Sequence, residues 1–172
     1  MRLSLILLIF LSTALNAQQF PQDFTGHWEG ELQWFQTGRK GPQKVRMQLV
    51  ILPADTAGQY LWQLIYGEKQ EDNRPYLLKP VDTAKGNWVI DEKNGIVLDQ
   101  YWIANRFTGT FTVQQATILN NYWLEDGKLI AEFYSISAKP VRTSGHGTED
   151  SPNVNSYASR AYQRAVLIKK KS

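Results

Sequence analysis

From residue 24 to residue 137 the chain is written in a two-residue hydrophobic period, and no other feature restricts its fold as strongly. Residues 24–35 carry Trp28, Gly30, Leu32 and Trp34 on one face and His27, Glu29, Glu31 and Gln33 on the other, which is a long strand with a single buried side. Residues 36–42, with Gly38 and Gly41, form a turn. The alternation resumes over residues 43–52, where Val45, Met47, Leu49 and Ile51 oppose Lys44, Arg46, Gln48 and Val50, until Pro53-Ala54-Asp55 ends it. Tyr60-Leu61-Trp62-Gln63-Leu64-Ile65-Tyr66 is a third strand, aromatic-rich as strands prefer.

A polar loop over residues 67–73 leads to Arg74-Pro75-Tyr76-Leu77-Leu78-Lys79-Pro80, a short strand whose two prolines suggest an edge or a bend. Two hairpins follow. Residues 87–90 and 96–103 flank Asp91-Glu92-Lys93-Asn94-Gly95, and residues 116–124 and 128–137 flank Glu125-Asp126-Gly127. Asn-Gly and Asp-Gly supply the positive φ angles that tight hairpins need. Between these pairs, residues 106–113 set Phe107, Gly109 and Phe111 against Thr108, Thr110 and Thr112, another strand.

After Ala138 the period stops. Residues 139–156 hold Pro140, Gly145, Gly147, Pro152 and three Ser with no apolar face, which predicts a long loop, a functional flap or a disordered segment. Residues 157–169 suit a helix through Ala158, Ala161 and Ala165. The branched run Val166-Leu167-Ile168 favours a final strand. About eight to ten short strands joined mostly by hairpin turns predict an all-β, up-and-down antiparallel barrel over a sandwich.

The N-terminus has the layout of a secretory signal peptide: Arg2, an apolar run over residues 3–11, then Ser12-Thr13-Ala14-Leu15-Asn16-Ala17. The apolar core is far short of the roughly 20 residues that span a bilayer. Cleavage after Ala17 would leave one domain over residues 18–172 with no transmembrane segment. The expectation is therefore a periplasmic or secreted protein. Cys is absent, which excludes a disulfide scaffold, a thiol nucleophile, a zinc-thiolate site and a Cys-anchored lipoprotein.

Stability must then come from the core, to which six Trp, eight Tyr and seven Phe contribute, each ring burying about 150–250 Å². The formal charge of +3 falls to +2 once Arg2 is removed, and the basic residues are scattered apart from Lys169-Lys170-Lys171. A solvated tail explains three terminal lysines better than a phosphate site does, so no nucleic-acid partner is expected.

Phe24-Thr25-Gly26-His27-Trp28 resembles the F-x-G-x-W opening of the calycins, the superfamily of lipocalins, fatty-acid-binding proteins and avidins. Ser159-Arg160-Ala161-Tyr162 is similar to the R-x-Y ending of the fatty-acid-binding branch. The resemblance covers about a dozen residues at the two ends of the chain. It implies that Gly26 and Trp28 help close the barrel's base, with Trp28 packed under an Arg from near the chain's end, Arg160 or Arg164. A cation on an indole face contributes about 0.5–2 kcal/mol. The chain departs from the fatty-acid-binding branch in having only residues 36–42, and no helix pair, between its first two strands. It departs from the lipocalins in ending on a strand.

Arg160, Tyr162 and Arg164 share one face of the last strand. Pointing inward they would anchor a ligand carboxylate; otherwise Arg160 covers Trp28 and Tyr162 is wall packing. Asp99 and Glu132 lie on central strands and would form an acid–base pair if they met in one cavity. Otherwise each faces solvent or a basic neighbour such as Arg106. His27 falls opposite Trp28 and so outside, and His146 sits in the Ser144-Gly145-His146-Gly147 loop. Neither belongs to a G-x-S-x-G elbow or an H-E-x-x-H zinc motif, and no metal or cofactor is expected. Arg74-Pro75-Tyr76 is a candidate pocket rim.

These readings converge on a protein that binds a small hydrophobic or amphipathic ligand inside the barrel, with Trp34, Trp62, Trp102 and Trp123 as candidate aromatic lining. The alternatives are a filled barrel serving as a structural or protein-interaction module, and a small hydrolase or isomerase using the barrel carboxylates. The sequence leaves the oligomeric state open.

Overall fold

The structure, a computed structural model, describes residues 18–171. The expected signal segment, residues 1–17, lies outside the described residues. Ten strands form a closed antiparallel barrel: β1 (Gly26–Gln36), β2 (Gln43–Pro53), β3 (Tyr60–Tyr66), β4 (Asp72–Asp82), β5 (Asn87–Asp91), β6 (Val97–Ile103), β7 (Arg106–Val113), β8 (Ala116–Glu125), β9 (Lys128–Ser137) and β12 (Ser159–Lys169). Strands β1 to β9 each pair with their sequence neighbour, and β12 closes the cylinder between β9 and β1. The up-and-down barrel expected from the alternation is therefore present, and the last element is a strand, Ser159–Lys169, not a helix.

Turn chemistry sets the register. Asp126 (φ 50°) and Gly127 (φ 72°) both adopt the left-handed conformation of a two-residue turn, so Glu125 pairs with Lys128 and every inward position of β8 meets one of β9. The expected edge at residues 74–80 does not exist, because closure leaves no free strand in the barrel. Pro80 is instead accommodated where the β4–β5 register slips between Pro80 and Asp82. Residues 139–156 contain more order than a loop: β10 (Arg142–Ser144) and β11 (Val154–Ser156) pair as a separate two-stranded arm.

The barrel has two unlike ends. At its base, the 3₁₀ turn Gln22–Phe24 and the residues before it plug the cylinder. Phe20 stacks on Phe107 (ring centroids 4.3 Å) and Trp102 (5.0 Å), while Phe24 is fully buried against Trp102. Burying such a side chain stabilises the fold by about 1.5–3 kcal/mol. Trp28 Nε1 donates to the Phe24 carbonyl at 2.8 Å, tying the plug to β1.

The cation over the Trp28 ring is Lys169, its Nζ 5.3 Å from the centroid, and not Arg160 or Arg164. The register explains the exchange: Trp28 pairs with Lys169, whereas Arg160 lies at the opposite end of β12, where Gln36 pairs with Ala161. Gly26 (φ 138°) makes room, since a Cβ there would stand 2.4 Å from Lys169 Cε. Gly26 and Trp28 thus sit at the plugged end of the barrel, with Lys169 over the indole.

The outer wall carries ion pairs among exposed apolar side chains such as Val97, Ile103 and Ile168. Glu29 accepts from Arg46 Nε at 2.8 Å and pairs with Lys170, and Lys79 pairs with Asp91. No helix of the described residues is long and apolar enough to cross a membrane.

Candidate functional site: the open half of the barrel

The half of the cylinder away from the plug encloses a cavity of about 470 Å³ that opens between the strand ends near Trp34, Tyr66, Asp72 and Val113. Its wall is mainly apolar, with Leu32, Val45, Leu64, Ile90, Phe111 and Phe133 among the lining. Alternation produces this wall. The inward positions of β1 and β2 already identified in the sequence, such as Leu32, Trp34 and Val45, reach the cavity once their lower neighbours have packed around Trp28 and Phe24.

Two hydrogen-bonded polar groups interrupt the apolar wall, beside the single polar residues Ser135 and Gln163. The first is at the mouth. Arg74 donates from Nε to Asp72 Oδ1 (2.8 Å) and from Nη2 to Oδ2 (2.5 Å), and its guanidinium lies 5.3 Å over the Tyr66 ring. The two-toothed contact holds the Asp72 carboxyl below the usual carboxylate range and raises the Arg74 pKa. Burial pushes the Tyr66 hydroxyl up to about 12 and also raises Tyr76. Glu92 completes the charged lining at this end.

The second group lies deep in the barrel. Gln100 on β6 and Asn120 on β8 are almost completely buried, 1% and 4% exposed. Asn120 Nδ2 donates to Gln100 Oε1 at 2.8 Å, and Gln100 Nε2 donates to Asn120 Oδ1 at 3.4 Å. The strand between them, β7, contributes Gly109, where a Cβ would stand 2.2 Å from the Gln100 amide nitrogen. A glycine here is a passage for one side chain to reach another. The floor aromatic Tyr122 has its hydroxyl pKa pushed well up by burial.

The sequence-derived candidates separate by face. Gln163 of β12 lines the cavity, so its neighbours Tyr162 and Arg164 point outward. Tyr162 donates its hydroxyl proton to Glu132 Oε1 at 2.6 Å, Arg164 Nε stands 3.4 Å from the same oxygen, and the Tyr162 ring lies beside Phe35 and Tyr134. Arg160 is exposed at the mouth end of β12. The inward-anchor reading of Arg160, Tyr162 and Arg164 therefore has no counterpart: Tyr162 and Arg164 meet Glu132 on the outer wall, and Arg160 stands exposed.

Trp123 also faces outward, under the Arg106 guanidinium at 4.0 Å. Trp62 is packed beneath the cavity against Tyr122 and Phe107, and Trp102 belongs to the basal plug. Of the four tryptophans proposed for the lining, Trp34 alone reaches it. Asp99 is exposed and Glu132 is engaged on the outer wall, so the two carboxylates do not meet inside.

Asp72, Glu92, Gln100 and Asn120 were not among the candidates, and Arg74-Pro75-Tyr76 was named only as a rim. Gln100 and Asn120 do carry a signal: each is a polar residue between apolar neighbours two positions away, Leu98 and Trp102, Ile118 and Tyr122. A hollow of about 540 Å³ on the outer wall is bordered by Glu29, Glu31, Lys44, Arg46 and Glu68, whose charges already pair with one another. Among the described residues no group of three His, Asp or Glu is placed to hold a metal ion. No protein-family model matches the chain, and no curated protein shows significant similarity to it.

Proposed function

We propose that the protein is an exported carrier-type barrel of the calycin kind that holds one small hydrophobic or amphipathic molecule in its open half. The observation that carries this reading is the cavity itself, about 470 Å³ of mainly apolar-walled space with a mouth at one end. That volume falls within the roughly 300–1,000 Å³ typical of small-molecule sites. A filled barrel would have served an interaction module better; here the filling stops above the basal aromatic layer. The hydrolase or isomerase reading loses its carboxylate pair, since Asp99 and Glu132 face outward.

Export is supported by the n, h and c layout of residues 1–17, and calycin kinship by Gly26 and Trp28 at the closed base. The mechanism is physical. Apolar walls desolvate the ligand body, and the few polar groups at the mouth and floor orient it.

The test is a fluorescence titration with the neutral apolar probe N-phenyl-1-naphthylamine, beside native mass spectrometry of protein purified from its own host. Saturable one-to-one binding with a blue-shifted probe spectrum is the expected result. No saturable binding, together with no co-purifying small molecule, would overturn the reading.

A further inference from the structure

We infer that the cavity selects ligands whose polar end is uncharged, a hydroxyl, carbonyl or amide, over long-chain carboxylates. The inference rests on the ligand-binding reading above and specifies its chemistry. The charged residues lining the cavity are Asp72, Arg74 and Glu92, two carboxylates against one guanidinium. Arg74 spends its forked contact on both oxygens of Asp72, so the mouth presents an internally neutralised pair with one carboxylate in excess. An incoming carboxylate would meet like charge there without an unpaired cation to receive it. Other basic residues near this end, Arg39 and Lys40 in the β1–β2 turn, Lys69 and Lys93 in the turns after β3 and β5, and Arg160 on β12, are exposed and lie outside the lining.

The floor makes the complementary statement. A primary amide has two N–H donors and a carbonyl with two acceptor positions. The reciprocal contact between Gln100 and Asn120 uses one donor and one acceptor position of each. No other side-chain hydrogen bond of either residue is formed among the described residues, so each keeps a donor and an acceptor position beside the cavity. A hydroxyl, which both donates and accepts, can engage a donor and an acceptor of such a pair at once. A carboxylate only accepts, and it would bring its charge against the amide carbonyls in a low-dielectric interior.

The experiment compares two ligands of equal chain length, dodecan-1-ol and dodecanoate, by displacement of N-phenyl-1-naphthylamine at pH 8, where the acid is ionised. The expected result is dodecan-1-ol binding at least about tenfold more tightly. In the Gln100→Leu/Asn120→Leu variant the preference should shrink to within about threefold while the probe still binds. Asp72→Asn, a half-exposed change at the mouth that does not depend on the core, should release Arg74 and strengthen dodecanoate binding by at least about fivefold, so that the dodecan-1-ol preference falls.

Equal or tighter binding of dodecanoate to the unaltered protein overturns the inference and leaves the binding reading standing. So does an undiminished preference in the folded double variant, or no gain for dodecanoate in Asp72→Asn. If neither ligand nor the probe binds, the binding reading itself fails, and the inference with it.

Discussion

The side chains of Gln100 and Asn120 bond to each other across a strand that lies between theirs. This is possible because β7 has no side chain where they meet, at Gly109. Gly109→Ala would place a methyl about where the Gln100 amide now sits. Overpacking of a tight interior costs about 1–3 kcal/mol. Gln100→Leu alone should destabilise by a similar amount, about 1–3 kcal/mol, because it strands the buried Asn120 amide. The double change to Leu at both positions should cost less than the two single changes together. Urea denaturation of the parent, Gly109→Ala, the two single Leu variants and the double variant measures each value and the coupling between the Leu changes.

At the other end of the barrel, Phe24 is fully buried and holds Trp28 through its carbonyl. Phe24→Ala should cost about 3–5 kcal/mol. Lys169→Ala, which removes the cation over Trp28, should cost about 0.5–1 kcal/mol. Arg160→Ala, on the exposed end of the same strand, should stay within about 0.5 kcal/mol. If Arg160→Ala were the costlier of the two basic substitutions, the closure described for Trp28 and Lys169 would be wrong. Chemical denaturation midpoints at a common slope settle the order.

The contrast between these two residues shows where the sequence was legible. Strand positions in β1, β2 and β7 to β9 follow from alternation and turn residues, because a strand with one polar face has one inward face whatever it pairs with. The last strand was different. Arg160, Tyr162 and Arg164 on one face, and Ala161, Gln163 and Ala165 on the other, form two plausible interiors. Pairing with β1, which sets Trp34 opposite Gln163 and Trp28 opposite Lys169, decides between them.

The Gln100–Asn120 contact was invisible for the same reason. Two residues 20 positions apart meet because of a three-strand register, and nothing local marks the glycine between them as a passage. Arg74 was visible as a rim candidate, but its pairing with Asp72, which changes the ligand charge the mouth favours, is a matter of side-chain geometry.

Ile118 projects from β8 into open space beside Phe111 and Phe133 on the cavity wall. Ile118→Trp should fill part of that space and weaken N-phenyl-1-naphthylamine binding by at least about tenfold. Because the added ring occupies a void, the melting temperature should hold or rise, unlike substitutions in the packed base. Probe titration and thermal unfolding on the same preparation give both readouts. Unaltered binding in the folded variant would place the probe elsewhere.

The titrating groups give stability an alkaline limit. Burial raises Tyr66 to about 12 and also lifts Tyr76, Tyr122 and, with the help of its bond to Glu132, Tyr162. A hydroxyl that holds its proton more tightly when folded stabilises the fold fully below the unfolded value of about 10, and that stability is lost as pH rises through the folded value. Absorbance near 295 nm should therefore show Tyr66, Tyr76, Tyr122 and Tyr162 ionising above pH 10, together with unfolding.

Depressed carboxylates give the opposite limit. Glu29 is lowered mainly by Lys170, Asp72 by Arg74 and Asp91 by Lys79. Their contribution is present above about pH 4 and is lost as pH falls through the folded values. The urea midpoint should be nearly level from about pH 5 to 8 and drop on both sides. In Arg74→Met the acid limb should be shallower, because Asp72 then titrates near its unfolded value.

The β10–β11 arm rises from the rim of the mouth, between the end of β9 and the start of β12, and its tip at residues 145–153 is exposed almost throughout. The hydrogen bonds of that tip are internal to it: His146 N–H to the Ser151 carbonyl at 3.0 Å and Ser151 N–H to the Thr148 carbonyl at 3.2 Å. The base of the arm is what ties it to the barrel, where the Ser137 and Ala138 N–H groups donate to the carbonyls of Ala158 and Gln115. A variant with residues 145–153 replaced by a two-residue Asn-Gly turn keeps β10, β11 and those basal bonds. Its melting temperature should fall within about 2 °C of the parent, since exposed surface changes shift stability by at most about 0.5 kcal/mol. Its affinity for N-phenyl-1-naphthylamine should also match, because the cavity lining contains no residue of the arm. A large loss of affinity at unchanged melting temperature would instead make the tip part of the binding site.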